Sequence, residues 1–364
     1  MPLLRELGKA NLAAIINTVH RYNIECDMET TGQLDVAVAS WQRDELRAEY
    51  ETLSALGEGV EFLDGQELAR EISSPMMIAG LLDPSSQVLL DPARLSWGLA
   101  DAFESLGGLI FEHTEVAHVE EVPDGLHALC ASGSIRTRSG IGASGAFRAL
   151  SRRARERIVP VYDYVLTTEP LTSDQLATLA WRHRRGIADA GNQFHYLRLT
   201  SDNRILFGGY EAVYRFNQRV DPKFDQDPAV FSVLQEHFDQ MFPELRDVSF
   251  AYRWGGAIDT STRFAASLIP SHSGRLITVN GFTGLGVGAS RFFALAALDQ
   301  LEGISSPITG LSMVKKTATP FPPEPLKYFG ISVTRRSIAR ADRHEGKRNF
   351  WLRLLDRLGL GFDS

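Results

Sequence analysis

Cysteine is nearly absent: Cys26 and Cys130 are the two in a chain of 364 residues. Two isolated thiols imply neither a disulfide framework nor a cysteine-based metal site. Long apolar runs are missing too. The most apolar stretches are short and broken by charge or glycine, so no integral membrane segment is expected. The opening MPLLRELGKANLAAI carries Arg5, Glu6 and Lys9 and no signal-peptide cleavage pattern, which points to the cytoplasm. Zinc-ligand spacing and a serine elbow are also lacking, which excludes the commonest hydrolytic centres. The formal net charge of −7 argues against a general nucleic-acid binder. Basic charge gathers only from Lys327 onward, at Arg335, Arg336, Arg340, Arg343, Lys347, Arg348, Arg353 and Arg357. Such a tail suits nucleic acid or a membrane surface. The expectation is instead a C-terminal helix that docks Phe350, Trp351, Leu354, Leu355 and Leu358 on its own protein, with the arginines in water.

What remains, 44% apolar and 23% charged, is the composition of a soluble enzyme of one large or two moderate domains. Leu3, Leu4, Leu7, Leu12, Ile15, Ile16 and Val19 recur at helical spacing, and Gln42 to Leu56 reads as a second helix. Asp91-Pro92 starts a third, which runs to Gly107-Gly108. Leu109 to Phe111, Val116 to Val119, Leu126 to Ala131 and Ser134 to Arg138 read as strands. The middle of the chain differs. Val159 to Thr168, Gln193 to Thr200, Arg204 to Gly209 and Phe250 to Ile258 form a broader antiparallel sheet, with a hairpin in LTSDNRIL (199–206) and a helix from Phe224 to Phe242. Thr317 to Pro325 (TATPFPPEP) is an extended connector.

Arg275 to Gly303, RLITVNGFTGLGVGASRFFALAALDQLEG, is an apolar strand, a loop with glycines at 281, 284, 286 and 288, and a long amphipathic helix. So little side-chain bulk lets backbone N–H groups approach a ligand, and a helix N-terminus adds partial positive charge. The loop alone suits a cofactor cradle or a tight structural turn equally. Gly140-Ile-Gly-Ala-Ser-Gly145 matches G-x-G-x-x-G, with Asp163 downstream as a ribose ligand. Against it, the preceding SIRTRS is too polar for a central parallel strand. The following helix is also crowded with Arg148, Arg152, Arg153, Arg155 and Arg157. Gly284 to Ala289 holds the looser G-x-G-x-x-A behind a properly apolar strand, but no acidic residue follows at ribose spacing.

Taken in order, TEVAHVEEVPDG (114–125), GIGASGAF (140–147), HYLRLTSDNRILFGG (195–209), YRWGGAIDTSTRFAASLIP (252–270) and NGFTGLGVGASR (280–291) resemble the D-amino-acid oxidase and glycine oxidase type of FAD-dependent oxidoreductases. The likeness covers nearly the whole chain to about residue 310. It implies a mixed α/β fold: an incomplete FAD-binding Rossmann-like layer with an inserted, mostly antiparallel substrate domain. The partial FAD-binding domain would comprise 1–30 and 90–158, and the substrate domain 31–89 and 159–258. Residues 259–312 would return to the FAD-binding layer with the closing glycine loop, and 313–364 would form connector and basic tail. On the family's plan the strand, G-x-G-x-x-G, helix and strand that bind the ADP half of FAD should come first. This sequence starts in the next helical region, so the reading expects a chain that binds cofactor poorly.

The reaction implied is oxidation of an amine or amino-acid C–N bond to an imine, with oxygen or another acceptor reoxidising a non-covalent FAD. Cofactor contacts carried over are Val116, Ala143, Ser144, Gly145, Gly255, Gly281, Thr283, Gly284, Leu285, Gly286, Val287 and Gly288. Substrate-side candidates are Arg198 for a carboxylate, Tyr196 on the same strand face, Tyr210, Arg253 and Trp254. His195 would face the opposite layer as a structural histidine, and Tyr214 is a second cavity-lining candidate. Partners implied are a small amine or amino acid and a second copy of the chain. Two other classes stay open: a non-enzymatic remnant or interaction protein, and an NAD(P)-binding protein using Gly140 to Gly145.

Overall fold

The computed structural model describes residues 2–147 and 149–360. Helix α1 (Pro2–Arg21) leads to β1 (Gln33–Ala37), α2 (Ser40–Ala55), β2 (Glu61–Asp64), α3 (Gly65–Glu71), β3 (Ala79–Asp83) and α4 (Pro92–Ser105). A meander of β4 (Val116–Val122), β5 (Gly125–Cys130) and β6 (Gly133–Thr137) precedes β7 (Gly140–Gly142) and a one-turn α5 (Arg152–Arg155). Next come β8 (Ile158–Thr168), α6 (Ser173–Leu179), β9 (Gly186–Asp189), β10 (His195–Leu199), β11 (Ile205–Gly209) and β12 (Val213–Tyr214). The chain continues through α7 (Pro228–Met241), β13 (Phe250–Ser261), β14 (Ser267–Ser271), β15 (Leu276–Asn280) and α8 (Gly286–Leu301). It closes with α9 (Pro307–Gly310), α10 (Ser312–Lys315), α11 (Leu326–Arg343) and α12 (Phe350–Arg357).

The architecture is mixed α/β. One large sheet draws β1, β2 and β3 from early in the chain and β8 to β13 from the middle, with β8 flanked by β13 on one side and β11 and β12 on the other. All its pairings are antiparallel except β1 with β9. Helix α7 seals one face. Asp227 caps it through the N–H groups of Ala229 and Val230, Pro228 starts it, and Phe231, Leu234 and Phe238 at helical spacing bury against Tyr164, Leu166 and Phe207. Each such side chain stabilises the fold by about 1.5–3 kcal/mol.

A second sheet joins β14 antiparallel to β15 and β15 parallel to β7. Phe292, Phe293, Ala296 and Ala297 of α8 cover it, against Leu268, Ile277 and Val279. Helix α1 supports the start of α8, where Asn11 donates Nδ2–H to the Gly288 carbonyl at 2.8 Å.

Local structure departs from expectation in four places. Leu109 to Phe111 is not a strand; its side chains are exposed and unpaired with any described strand. Gly140 and Gly142 lie within β7 rather than in a loop opening a helix, and the first helix after them is the single turn α5. A dinucleotide fingerprint needs that loop and helix, so the NAD(P) reading loses its geometry; Arg148 lies outside the described residues. Helix α8 begins at Gly286, so Gly286 and Gly288 occupy its first turn. Finally, α12 buries Leu352 and half-buries Trp351 and Leu355, while Phe350, Leu354 and Leu358 face solvent.

Candidate active site

Alternation along β10 puts His195, Leu197 and Leu199 under α7 and Tyr196 and Arg198 on the opposite face. On that face one cross-strand row runs Asp35, Ala188, Tyr196, Gly208, Val165, Trp254, assembled from six strands. Ala188 and Gly208 leave troughs beside the Tyr196 ring. The ring crosses the Gly208 trough, and its hydroxyl donates to Asp163 Oδ2 on β8 at 2.6 Å. Gly208 is required there: a Cβ at that position would lie 2.6 Å from both Cζ and Oη of Tyr196. Burial pushes the Asp163 carboxyl up, against the Tyr196 hydroxyl and the backbone hydrogen bonds of Tyr164 and Gly209 that pull it down. Burial and the neighbouring carboxylate push the Tyr196 phenol far up, so it stays a proton donor. Asp163 is therefore no ribose ligand at a strand end. Asp35 is likewise pushed up by burial and accepts from Gln33 Nε2 at 2.8 Å. Neither carboxylate was among the sequence candidates for substrate contact, because residues 35, 163 and 196 share no local motif.

The remaining candidates separate. Trp254 and Gly256 share the face of Asp163, while Arg253 points to the other side, its guanidinium 5.9 Å from the Phe250 ring. Arg198 shares the Tyr196 face, but its Nη1 donates to the Leu90 carbonyl at 2.6 Å, which ties down the segment before α4. Tyr214 donates to Glu324 and so holds the proline-rich connector rather than a cavity. Tyr210 lies on the α7 side, stacked on His195 with centroids 5.2 Å apart. His195 is a hydrogen-bonded buried histidine: Nδ1 lies 2.5 Å from Asp189 Oδ2 and Nε2 lies 2.9 Å from His237 Nδ1.

His237 has a consequence for pH. Burial, then the charge of His195, pushes its pKa down from 6.5 to about 4. The unfolded chain takes up that proton near the ordinary value while the folded chain resists it. Stability from this group is therefore complete above about pH 6.5 and is lost as pH falls toward 4. His237→Leu should flatten this part of the stability profile, read by thermal melts between neutral pH and the acid end of the window; an unchanged profile would refute it.

Because β7 and β15 are parallel, residues 143–145 and 281–285 leave the same end of the second sheet. Ligands of parallel sheets bind at such strand ends. Val116, Ala143 and Ser144 line a cavity of about 390 Å³ with Ile141 and Phe147. The glycine loop is clamped from β13: Asp259 Oδ2 accepts the Gly281 N–H at 2.6 Å, Thr283 N–H donates to the Asp259 carbonyl, and Thr283 Oγ1 accepts from Ser261 N–H. Gly281 and Gly284 hold φ of +87° and +85°, conformations that side chains resist. Leu285 and Val287 are exposed at the start of α8, and the N-cap Leu285 supplies no side-chain acceptor, so the helix's first N–H groups have no cap. At Gly145, Gly256 and Gly288 an added Cβ would meet nothing within 4 Å. Gly255 differs: its Cβ would strike the Tyr164 ring at 2.6 Å, so that glycine allows close packing toward α7. A backbone-lined, uncapped helix start beside open glycines fits the polar edge of a flavin nucleotide. Asp259, which holds this loop, was missed; the only sequence signal was an acid near the end of an extended strand.

Comparison with known proteins places the fold and the family. The fold matches glycine oxidase from Geobacillus kaustophilus with a TM-score of 0.71 at 18% identity, covering 87% of this chain and 82% of that one. It matches L-proline dehydrogenase from P. horikoshii with a TM-score of 0.69 at 15% identity, covering 82% and 79%. In sequence, the chain is 29% identical over 292 residues to gamma-glutamylputrescine oxidoreductase of Escherichia coli (strain K12), covering 78% of this chain and 64% of that protein. It is 26% identical over 323 residues to the probable oxidoreductase OrdL of Haemophilus influenzae, covering 83% and 70%. The chain thus spans about two thirds of the length of these curated relatives. The profile of the FAD dependent oxidoreductase family matches residues 2–299, and the chain belongs to that family.

Proposed function

We propose that this chain oxidises the C–N bond of a small amine or amino acid, with the substrate over the row from Ala188 to Trp254 and FAD held non-covalently by the glycine loop. The observation that carries the reading is the Asp163–Tyr196 pair on the sheet face away from α7, joined through β13 to that loop. Bound FAD would supply the electron sink. The protein's share is orientation: the buried Asp163 and the Tyr196 hydroxyl hold the amine, and Trp254 walls the site. The C–H hydrogen of the substrate would leave with its electron pair to that sink and the N–H proton to water, leaving the imine, which water hydrolyses to a carbonyl and an amine or ammonia. Oxygen or another acceptor takes the electrons, in the cytoplasm. The name of the Escherichia coli relative supports an amine substrate. Residues 31–89 with 159–258 serve as the substrate unit, and 259–312 as the cofactor-side return.

Hydrogen bonding on β7 comes from β15 alone among the described strands, and Trp97, Phe103, Leu109 and Phe111, on α4 and the segment after it, are exposed. These unburied groups support a thin hold on the dinucleotide half, so FAD should bind reversibly and weakly. The test is the visible spectrum of the purified chain with added FAD, followed by bleaching with a panel of amines and amino acids without oxygen. Expected are a flavin band released by acid precipitation and loss of that band with at least one amine. No flavin band at saturating FAD would favour the non-enzymatic reading.

A further inference from the structure

We propose that α12, with the outward stripe of α11, docks this protein on the surface of an anionic phospholipid bilayer. Stepping about 100° per residue along α12, Arg353 and Arg357 lie together, followed around the helix by Phe350, Leu354 and Leu358. That arc is solvent-exposed, with Phe350 at 73%, Leu354 at 36% and Leu358 at 61%. Trp351 and Leu355 continue it to the buried Leu352. Aromatic and leucine side chains flanked by arginines are the pattern of a helix lying in a membrane interface.

The exposed arc belongs to an ordered element. Asn349 caps α12 through the Leu352 N–H and donates to Ser337 Oγ, and Trp351 Nε1–H donates to Thr334 Oγ1. Leu352 packs on Ile338 and Ala341 of α11. The turn between the helices is held against Trp41: a Cβ on Gly346, at φ +73°, would lie 2.9 Å from that ring. On α11 the outward stripe passes from Leu326, Phe329 and Val333 to Arg336, Arg340 and Arg343, all exposed.

Charge selects the occupant. Residues 326–358 hold nine lysines and arginines against three carboxylates, opposite in sign to the chain's net charge of −7. Arg336, Arg340, Arg353 and Arg357 make no ion pair with any described residue. A second copy docking through this face would bring like charges together. A nucleic-acid backbone would leave Phe350, Leu354 and Leu358 without an apolar partner. An anionic bilayer satisfies both halves, taking the apolar stripe below its headgroups and the arginines among its phosphates. No helix among the described residues is long and apolar enough to cross a membrane, so the contact is peripheral.

The test is co-sedimentation of the full chain with vesicles of mixed phosphatidylglycerol and phosphatidylcholine, and with phosphatidylcholine alone. Binding should require the anionic lipid and weaken with salt. The double variants Leu354→Ser/Leu358→Ser and Arg353→Gln/Arg357→Gln should each reduce it about tenfold or more with unchanged thermal melts, since all four side chains are exposed. The proposal is overturned if wild-type protein stays in solution with anionic vesicles or binds neutral vesicles equally. It is also overturned if the leucine variant abolishes a dimer seen by sedimentation velocity while vesicle binding is absent. Retained vesicle binding in the leucine variant, with loss only in the arginine variant and displacement by an oligonucleotide, would show a simple polyanion site and reject the interfacial helix.

Discussion

Gly208→Ala should lower kcat by about 100-fold, because misplacing a reacting or orienting group by about 1 Å costs that much. Its new methyl would sit 2.6 Å from the Tyr196 ring tip, so the ring must leave the trough that leads to Asp163. Displacement leaves a buried carboxyl without its side-chain partner, which costs about 1–3 kcal/mol, and overpacking adds a similar amount. Steady-state kinetics with FAD saturating, alongside thermal melts, measure both parts. Tyr196→Phe separates the causes: it keeps the ring in place and removes only the hydroxyl, so it should lose rate with a smaller loss of stability. Wild-type kcat in Gly208→Ala would dismiss the Asp163–Tyr196 pair as a working part of the site.

Asp259→Ala should raise the Kd for FAD about tenfold or more. The carboxylate accepts the Gly281 N–H at 2.6 Å and is buried, with the Phe282 N–H as a second donor. Hydrogen bonds to a charged group contribute about 1.5–3 kcal/mol, and removal strands buried donors in addition. The loop that would face the cofactor then loses its clamp from β13. Asp259→Asn keeps an acceptor oxygen and should fall between alanine and wild type. Flavin fluorescence titration gives the affinities, and amide hydrogen exchange at residues 281–283 reports the loop directly. Unaltered affinity in the alanine variant, together with faster exchange, would mean that the loop is a structural turn and not a cradle.

Much of the framework is legible in the sequence. The Asp91-Pro92 start of α4, the hairpin around Asn203 and the order strand, loop, helix from Arg275 to Gly303 stand as local chemistry demands, with α8 starting earlier, at Gly286. Strand alternation alone put Tyr196 with Arg198 and His195 on the other side. The errors have a common origin. Leu109 to Phe111 is apolar and extended in composition, but a strand exists only where another strand accepts its hydrogen bonds. Gly255 and Gly256 are adjacent and identical, yet one packs on Tyr164 and the other opens to space, a difference set by which face of β13 meets α7. Tyr210 and Arg253 carried suitable chemistry and lie on the face covered by α7 for the same reason.

By itself, the sequence determined what hydrogen bonds and side-chain periodicity can encode within a few residues: helix starts, turns, alternation, and the glycine loop with its bare backbone. Only the tertiary structure decided that Asp35, Tyr196 and Trp254 share one row, that Asp163 is reached across Gly208, and that Asp259 grips Gly281. It also decided that Phe350, Leu354 and Leu358 face water. Register between strands far apart in the chain, and the side from which a helix covers them, depend on the packing of the whole, and no local pattern carries that information.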